Sequence, residues 1–192
     1  MSRAANSTTD PIDTARLRLR PVEKGDASHI ARLMTPAVTR WLASWPSPVT
    51  ESLARERIAQ MRDVMLKGHA VCMAIERRAD RAFMGSIHVF RTKDDPSRGA
   101  LGYWLGEPYQ RQGFMTEAAA AAVAASFMRL HLQVIEAGAQ PENEGSLAIM
   151  RALGMHLIGS RLTWTAGRQR DELCDYAEVT RTVFEHVRNA AR

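Results

Sequence analysis

The segment Gly102-Tyr103-Trp104-Leu105-Gly106-Glu107-Pro108-Tyr109-Gln110-Arg111-Gln112-Gly113-Phe114-Met115-Thr116-Glu117-Ala118 limits the fold of this chain more than any other. It begins as a strand, crosses a polar loop and enters an alanine-rich helix. Ala118 to Leu130 carries the clearest helical signal, because Val123, Phe127 and Leu130 recur at spacings of four and three among alanines. A junction of this kind sets backbone N–H groups and the positive end of a helix dipole at the end of the strand. With Gly113 allowing close approach and Gln110, Arg111 and Gln112 beside it, the loop is suited to cradle a diphosphate. There is no GxxxxGK[ST], and Gly113 lacks the partners of GxGxxG. A plain strand-to-helix connection has the same pattern, so these residues alone leave both readings open.

The flanking segments predict alternating elements. Arg16-Leu17-Arg18-Leu19-Arg20 has a period of two, which puts both leucines on one face of a strand that Pro21 ends. Asp26 is placed to cap a short helix through Ile30, Leu33 and Met34. A loop with Trp41, Trp45, Pro46 and Pro48 leads to a helix opened by Thr50 and stopped by Gly68, with Leu53, Ile58, Met61, Met65 and Leu66 as its apolar positions. Residues 70–76 and 83–90 read as a hairpin, 100–105 and 133–137 as short strands, and 146–153 as a helix burying Leu147, Ile149, Met150 and Leu153. Strands over 155–164 and 173–182 follow. The order β-α-α-β-β-β-α-β-α-β-β predicts an α/β (α+β) domain whose mixed sheet of about seven strands is covered by about four helices.

A chain of 192 residues suits one domain. Residues 1–13 read as a flexible leader, 14–185 as the domain and 186–192 as a tail. No run approaches the length of a membrane span or a signal peptide, so a cytoplasmic protein is expected. Cys72 and Cys174 lack metal-ligand or disulfide spacing, and no metal is expected. The formal charge of +5 comes almost wholly from arginine, since lysine occurs only at 24, 67 and 93. The arginines are scattered and not interleaved with aromatics, which disfavours nucleic acid as a partner.

Gln110-Arg111-Gln112-Gly113-Phe114-Met115 resembles the (Q/R)xxGx(G/A) motif of GNAT N-acetyltransferases, with Met115 in the sixth place. Asn143-Glu144-Gly145-Ser146 followed by Ala152-Leu153-Gly154-Met155 resembles the family's NxxS helix and its LGF ending. The N-terminal LRLRP strand, Trp45-Pro46, Met84-Gly85-Ser86-Ile87 and Gly102-Tyr103-Trp104-Leu105 extend the likeness over residues 14–183, toward the branch of the ribosomal-protein alanine and serine N-acetyltransferases. The resemblance implies a GNAT fold, a mostly antiparallel sheet splayed at the cofactor site. It implies direct transfer of acetyl from acetyl-CoA to a primary amine, either a protein N-terminus or a small molecule, in a ternary complex.

For the coenzyme the resemblance implies Tyr103, Trp104, Leu105, Gln110, Arg111, Gln112, Gly113, Phe114, Met115, Thr116, Asn143 and Ser146. Asn143 and Ser146, three residues apart, share one helix face; helix capping is the competing role for both. Many family members carry a tyrosine seven residues after the asparagine as the thiolate's acid; here that position is Met150, so Ser146 becomes the candidate donor. Glu107 is the candidate base, ahead of His88 and Glu76. Trp41, Trp45, His88 and Tyr176 are the candidate acceptor-binding residues. A non-enzymatic acyl-CoA sensor on the same fold is the alternative. An edge strand such as Leu173 to Thr182 would offer a second copy a pairing surface for a homodimer.

Overall fold

An eight-stranded sheet in the order β1-β2-β3-β4-β5-β6-β8-β7 organises the computed structural model, which describes residues 7–190. Its strands are β1 (Ile12–Asp13), β2 (Leu17–Pro21), β3 (Ala70–Arg77), β4 (Phe83–Arg91), β5 (Arg98–Leu105), β6 (Val134–Ala139), β7 (His156–Thr165) and β8 (Arg170–Thr180). The helices are α1 (Ala27–Leu33), α2 (Pro36–Thr39), α3 (Glu51–Leu66), α4 (Phe114–Arg129), α5 (Glu144–Ala152) and α6 (Arg181–Ala190).

Every neighbouring pair is antiparallel except β5 and β6. Two parallel neighbours need a long crossover, and α4 supplies it. Their pairing covers Arg98–Val134, Gly99–Ile135 and Ala100–Glu136, then stops, although β5 runs on to Leu105 and β6 to Ala139. The sheet is therefore two antiparallel leaves joined along a short seam. Charges bolt the closed end: Arg98 on β5 reaches Glu178 on β8 and lies 3.6 Å from Glu136 on β6, which Arg161 on β7 meets at 3.2 Å.

The faces of the sheet bury different helices. Leu17, Leu19, Met73, Ile75, Ile87 and Val89 meet Val123 and Phe127 of α4 and Leu130 at its C-cap, with Met150 of α5 and Phe184 of α6 in the same core. On the other face Cys72, Ala74 and Trp104 pack against Ile30, Ala54, Ile58 and Met65 of α1 and α3. That second helical cover does not extend over β6–β8, where Glu136, Tyr176 and Arg161 remain accessible. Both cysteines are buried free thiols, and burial pushes that of Cys72 up to about 12.

Several expectations change in detail. Among the described residues there are eight strands and six helices, because Ile12–Asp13 pairs with β2 and because Pro36–Thr39 and Arg181–Ala190 are helical. Parts of the expected leader and tail thus belong to the domain; residues 1–6 and 191–192 lie outside the described residues. Thr50 caps α3 by accepting from Leu53 N at 3.2 Å. Asp26 makes no cap bond to α1. Its carboxylate accepts from Glu23 N at 2.8 Å and from the Arg20 guanidinium at 2.8 and 3.0 Å. Leu66 is 70% exposed, since one step of the helix from buried Met65 turns it about 100° away from the core. Leu147 and Ile149 are only partly buried. β8 lies inside the sheet, between β6 and β7, so the edge strands are β1 and β7 and the expected pairing edge at Leu173–Thr182 is already taken on both sides.

Candidate active site

The loop before α4 is held in an uncommon conformation. Gly113, the N-cap of α4, has φ +74°, and Arg111, two residues earlier, has φ +59°. Glycine adopts that region at no steric cost, whereas arginine does not, and strain of this sort persists where surrounding contacts enforce it. No side chain caps α4, so no side-chain oxygen occupies the first-turn N–H groups.

The loop is braced from the turn between β1 and β2. The Arg16 guanidinium donates to Gln112 O at 3.0 Å and to Glu117 Oε2 at 2.6 Å, and it lies 4.5 Å from the centre of the Phe114 ring. Glu117 Oε1 also accepts from Arg16 N at 2.8 Å and from Thr14 Oγ1 at 2.6 Å. Burial alone would raise the Glu117 carboxyl; these donors hold it below its ordinary value. They also offset a negative charge that would otherwise oppose an anion at the start of α4. The sequence pattern did not reveal this clasp, because its members are about a hundred positions apart.

A cleft of about 1010 Å³ runs from this loop to the gap between β5 and β6 and out over β7–β8. Of the residues expected at the coenzyme, Tyr103, Trp104, Leu105, Gln110, Arg111, Gly113, Phe114, Met115, Thr116, Asn143 and Ser146 line it. Gln110 Nε2 donates to Leu105 O at 2.8 Å, tying the loop to the end of β5. Gln112 is turned away; its Nε2 donates to Pro108 O at 2.9 Å while its carbonyl serves Arg16. Met115 is buried in the core, which explains why a bulky side chain is accommodated in the loop's last position.

Asn143 caps α5, accepting from Ser146 N at 3.1 Å, and both residues also line the cleft. Their capping and cleft positions coexist. Ser146 Oγ lies 2.8 Å from the Tyr103 hydroxyl. Burial pushes that phenol up to about 12, with the Ser146 hydrogen bond acting in the opposite sense.

The other side of the cleft collects Trp41, Trp45, His88 and Tyr176, the four residues that the sequence offered as acceptor candidates, together with Arg161 and Thr163, which it did not single out. Two glycines make room for the rings. A Cβ on Gly102 would fall 2.4 Å from His88 Nε2, and one on Gly138 would fall 2.8 Å from the Tyr176 ring. A glycine inside a strand is the available sign of such close approach. The Arg161 guanidinium stacks 3.6 Å from the Tyr176 ring centre, and the Tyr176 hydroxyl meets Thr163 Oγ1 at 2.8 Å. Arg168, in the β7–β8 turn, donates to Thr39 O and Leu42 O at 3.1 and 3.0 Å, anchoring the segment that carries Trp41 and Trp45.

His88 Nδ1 is buried without a hydrogen-bond partner, and burial lowers the imidazole to about 4, so it is neutral near pH 7. It faces the cleft, not the outer surface. Glu107 does not reach the cleft. It sits exposed in a 3-10 turn, Glu107–Tyr109, bonded to Thr35 Oγ1 at 2.5 Å, because the chain bends outward after Gly106. Glu76 is also remote, buried in an ion pair with Arg20 at 3.1 Å.

Residues 16–156 match the model of the acetyltransferase (GNAT) domain family. The chain belongs to the GNAT acetyltransferases. It is 30% identical over 152 residues to the uncharacterized N-acetyltransferase p20 of Bacillus licheniformis, a match covering 78% of this chain and 84% of that one. Two solved structures share the fold. Mycobacterium smegmatis RimJ in complex with CoA-disulfide superposes with a TM-score of 0.82 at 21% identity, covering 95% of each chain. The ribosomal-protein-S5-alanine acetyltransferase of Vibrio fischeri gives 0.73 at 22% identity, covering 89% of this chain and 96% of that one. This GNAT protein is accordingly an acyltransferase, an N-acetyltransferase by family. Among the described residues no helix is long and apolar enough to cross a membrane, and no cluster of three or more His, Cys, Asp or Glu could hold a metal.

Proposed function

We propose that this GNAT enzyme transfers the acetyl group of acetyl-CoA directly to a primary amine, with a protein N-terminal α-amine in the cytoplasm as acceptor. One observation carries the reading: β5 and β6 part after Ala100 and Glu136 directly beside an uncapped helix start. Uncapped N–H groups suit a diphosphate, and a strand with free backbone groups suits the amide-rich pantetheine arm, which would add to it by main-chain bonds. Acetyl-CoA supplies the activated acyl group. The chain's part is to bind, orient and shield.

Backbone N–H groups of residues 113–116 would hold the diphosphate, while Leu101 to Leu105 and Ala137 to Ala139 would flank the arm. Ser146 is the candidate hydrogen-bond donor to the leaving sulfur. On the acceptor side, a neutral His88 does not repel an incoming amine and offers a ring nitrogen to orient it. It is too weak a base to carry the proton away. An α-amine titrates near 7.7 to 8.0, so loss of its proton to water is enough. The wide opening over β7–β8 favours a chain end over a fully enclosed small molecule, and the Vibrio fischeri ribosomal-protein-S5-alanine acetyltransferase, which shares the fold, supports that choice.

Incubation with acetyl-CoA and a panel of peptides, polyamines and aminoglycosides, read by mass spectrometry and thiol release, tests the proposal. Acetylated peptide N-termini are expected, with one thiol released per acetyl transferred. Firm coenzyme binding with no acceptor modified would instead establish a sensor.

A further inference from the structure

Tyr103 spans the opening of the sheet. On β5 it lies beyond Ala100, the last residue paired with β6, and is still paired with Ile87 of β4; its side chain is on the face toward α4 and α5, and its hydroxyl meets Ser146 of α5 at Oγ (2.8 Å) and at O (3.3 Å). A serine hydroxyl in a helix commonly donates back to a carbonyl three or four residues earlier. Ser146 Oγ makes no such bond; its recorded partner is Tyr103, while Ser146 N is committed to Asn143 Oδ1.

We propose that Tyr103 is a positioning residue for the leaving sulfur: its phenolic hydrogen bonds Ser146 Oγ, which frees the Ser146 hydroxyl hydrogen to point at the departing thiolate. This rests on the acetyl-CoA reading above and deepens it. The amine nitrogen bonds the acyl carbon, the carbon–sulfur bond breaks with its electron pair left on sulfur, and the amine's surplus proton goes to water. Ser146 and Tyr103 keep their own protons throughout, and the thiolate is later protonated from solvent. A phenol that burial holds protonated up to about 12 remains a donor at any working pH. Met150 is buried in the core and has no donor to offer the sulfur.

The test is the thiol pKa of bound coenzyme A, read from thiolate ultraviolet absorbance in wild type, Tyr103→Phe, Ser146→Ala and the double variant, with calorimetry for coenzyme affinity. Arg111, Glu142 and Glu144 also line the cleft and are common to all four proteins. We expect each single change to raise the thiol pKa by about one unit, with affinity little altered and the double variant no higher than Ser146→Ala. In transfer assays kcat should fall about tenfold in Tyr103→Phe with the KM for acetyl-CoA unchanged. A thiol pKa in Tyr103→Phe equal to wild type, or a further rise in the double variant beyond Ser146→Ala, overturns the relay through Ser146 while leaving the acetyl-CoA reading intact. Calorimetry with no coenzyme binding to wild type overturns both.

Discussion

The two sides of the opening between β5 and β6 are built in different ways. The side proposed for the coenzyme consists of main-chain N–H groups, a left-handed glycine and a buried apolar helix, most of it contained in residues 103–123. The side proposed for the acceptor is assembled from Trp41, His88, Gly138, Arg161 and Tyr176, which come from a loop and four separate strands, and it ends in a hairpin that exposes Leu157, Leu162, Trp164 and Leu173. A fixed ligand such as coenzyme A can be met by one local backbone shape. A variable acceptor is met by side chains that can be exchanged without disturbing the sheet.

If this division is real, changes on one side should leave the other side's affinity alone. Gly113→Val should have the largest effect. A β-branched residue at φ +74° costs about 1–2 kcal/mol of strain, and its Cβ would lie 3.4 Å from the Arg16 guanidinium that braces the loop. Coenzyme affinity should drop about a hundredfold by calorimetry, or about 2.7 kcal/mol, with the acceptor KM unmoved. Arg16→Gln comes next. Losing the clasp on Glu117 and Gln112 should weaken coenzyme binding about tenfold, and Glu117→Gln added to it should restore part of that loss if charge is the cause. A double variant as weak as the single would show that loop geometry dominates.

Trp41→Ala should raise the acceptor KM about fivefold through lost aromatic contact, with the coenzyme dissociation constant unchanged. The last effect is on the pH dependence of stability and leaves activity at neutral pH untouched. Because burial lowers His88 from 6.5 to about 4, the unfolded chain takes up a proton below about pH 6.5 that the fold refuses until about pH 4. Stability contributed at neutral pH is therefore lost as pH falls through that window, by up to about 1.4 kcal/mol per unit. His88→Leu should flatten this part of the melting-temperature profile, and an unaltered slope would mean that the ring is better solvated than its surroundings indicate.

The same division governs what the sequence revealed. The loop at 110–116, the alanine-rich α4 and the Asn143–Ser146 pair were legible because each is a local pattern with a local cause. Glu107 misled because it is near the thioester strand in sequence, yet the turn after Gly106 carries it to Thr35. The Arg16–Glu117 clasp, the Tyr103–Ser146 contact and the Arg168 anchor join residues 43 to 129 positions apart. Periodicity carries no trace of such pairs. The edge position was misjudged for a related reason: β7 and β8 have similar alternation, and only the return of β8 beside β6 decides which is interior.

The seam between the leaves acts as a ruler. Its three rungs end at Ala100 and Glu136, and each rung added or removed would move the floor of the opening by about 3.3 Å, the rise of one strand residue. With the coenzyme seated as proposed, backbone pairing would set the depth reached by an acyl chain only in coarse steps. Finer grading falls to Leu101 and Ala137, the first side chains above the last rung, and a descendant of this protein suited to a bulkier acyl group would be expected to differ there before its pleats were re-registered.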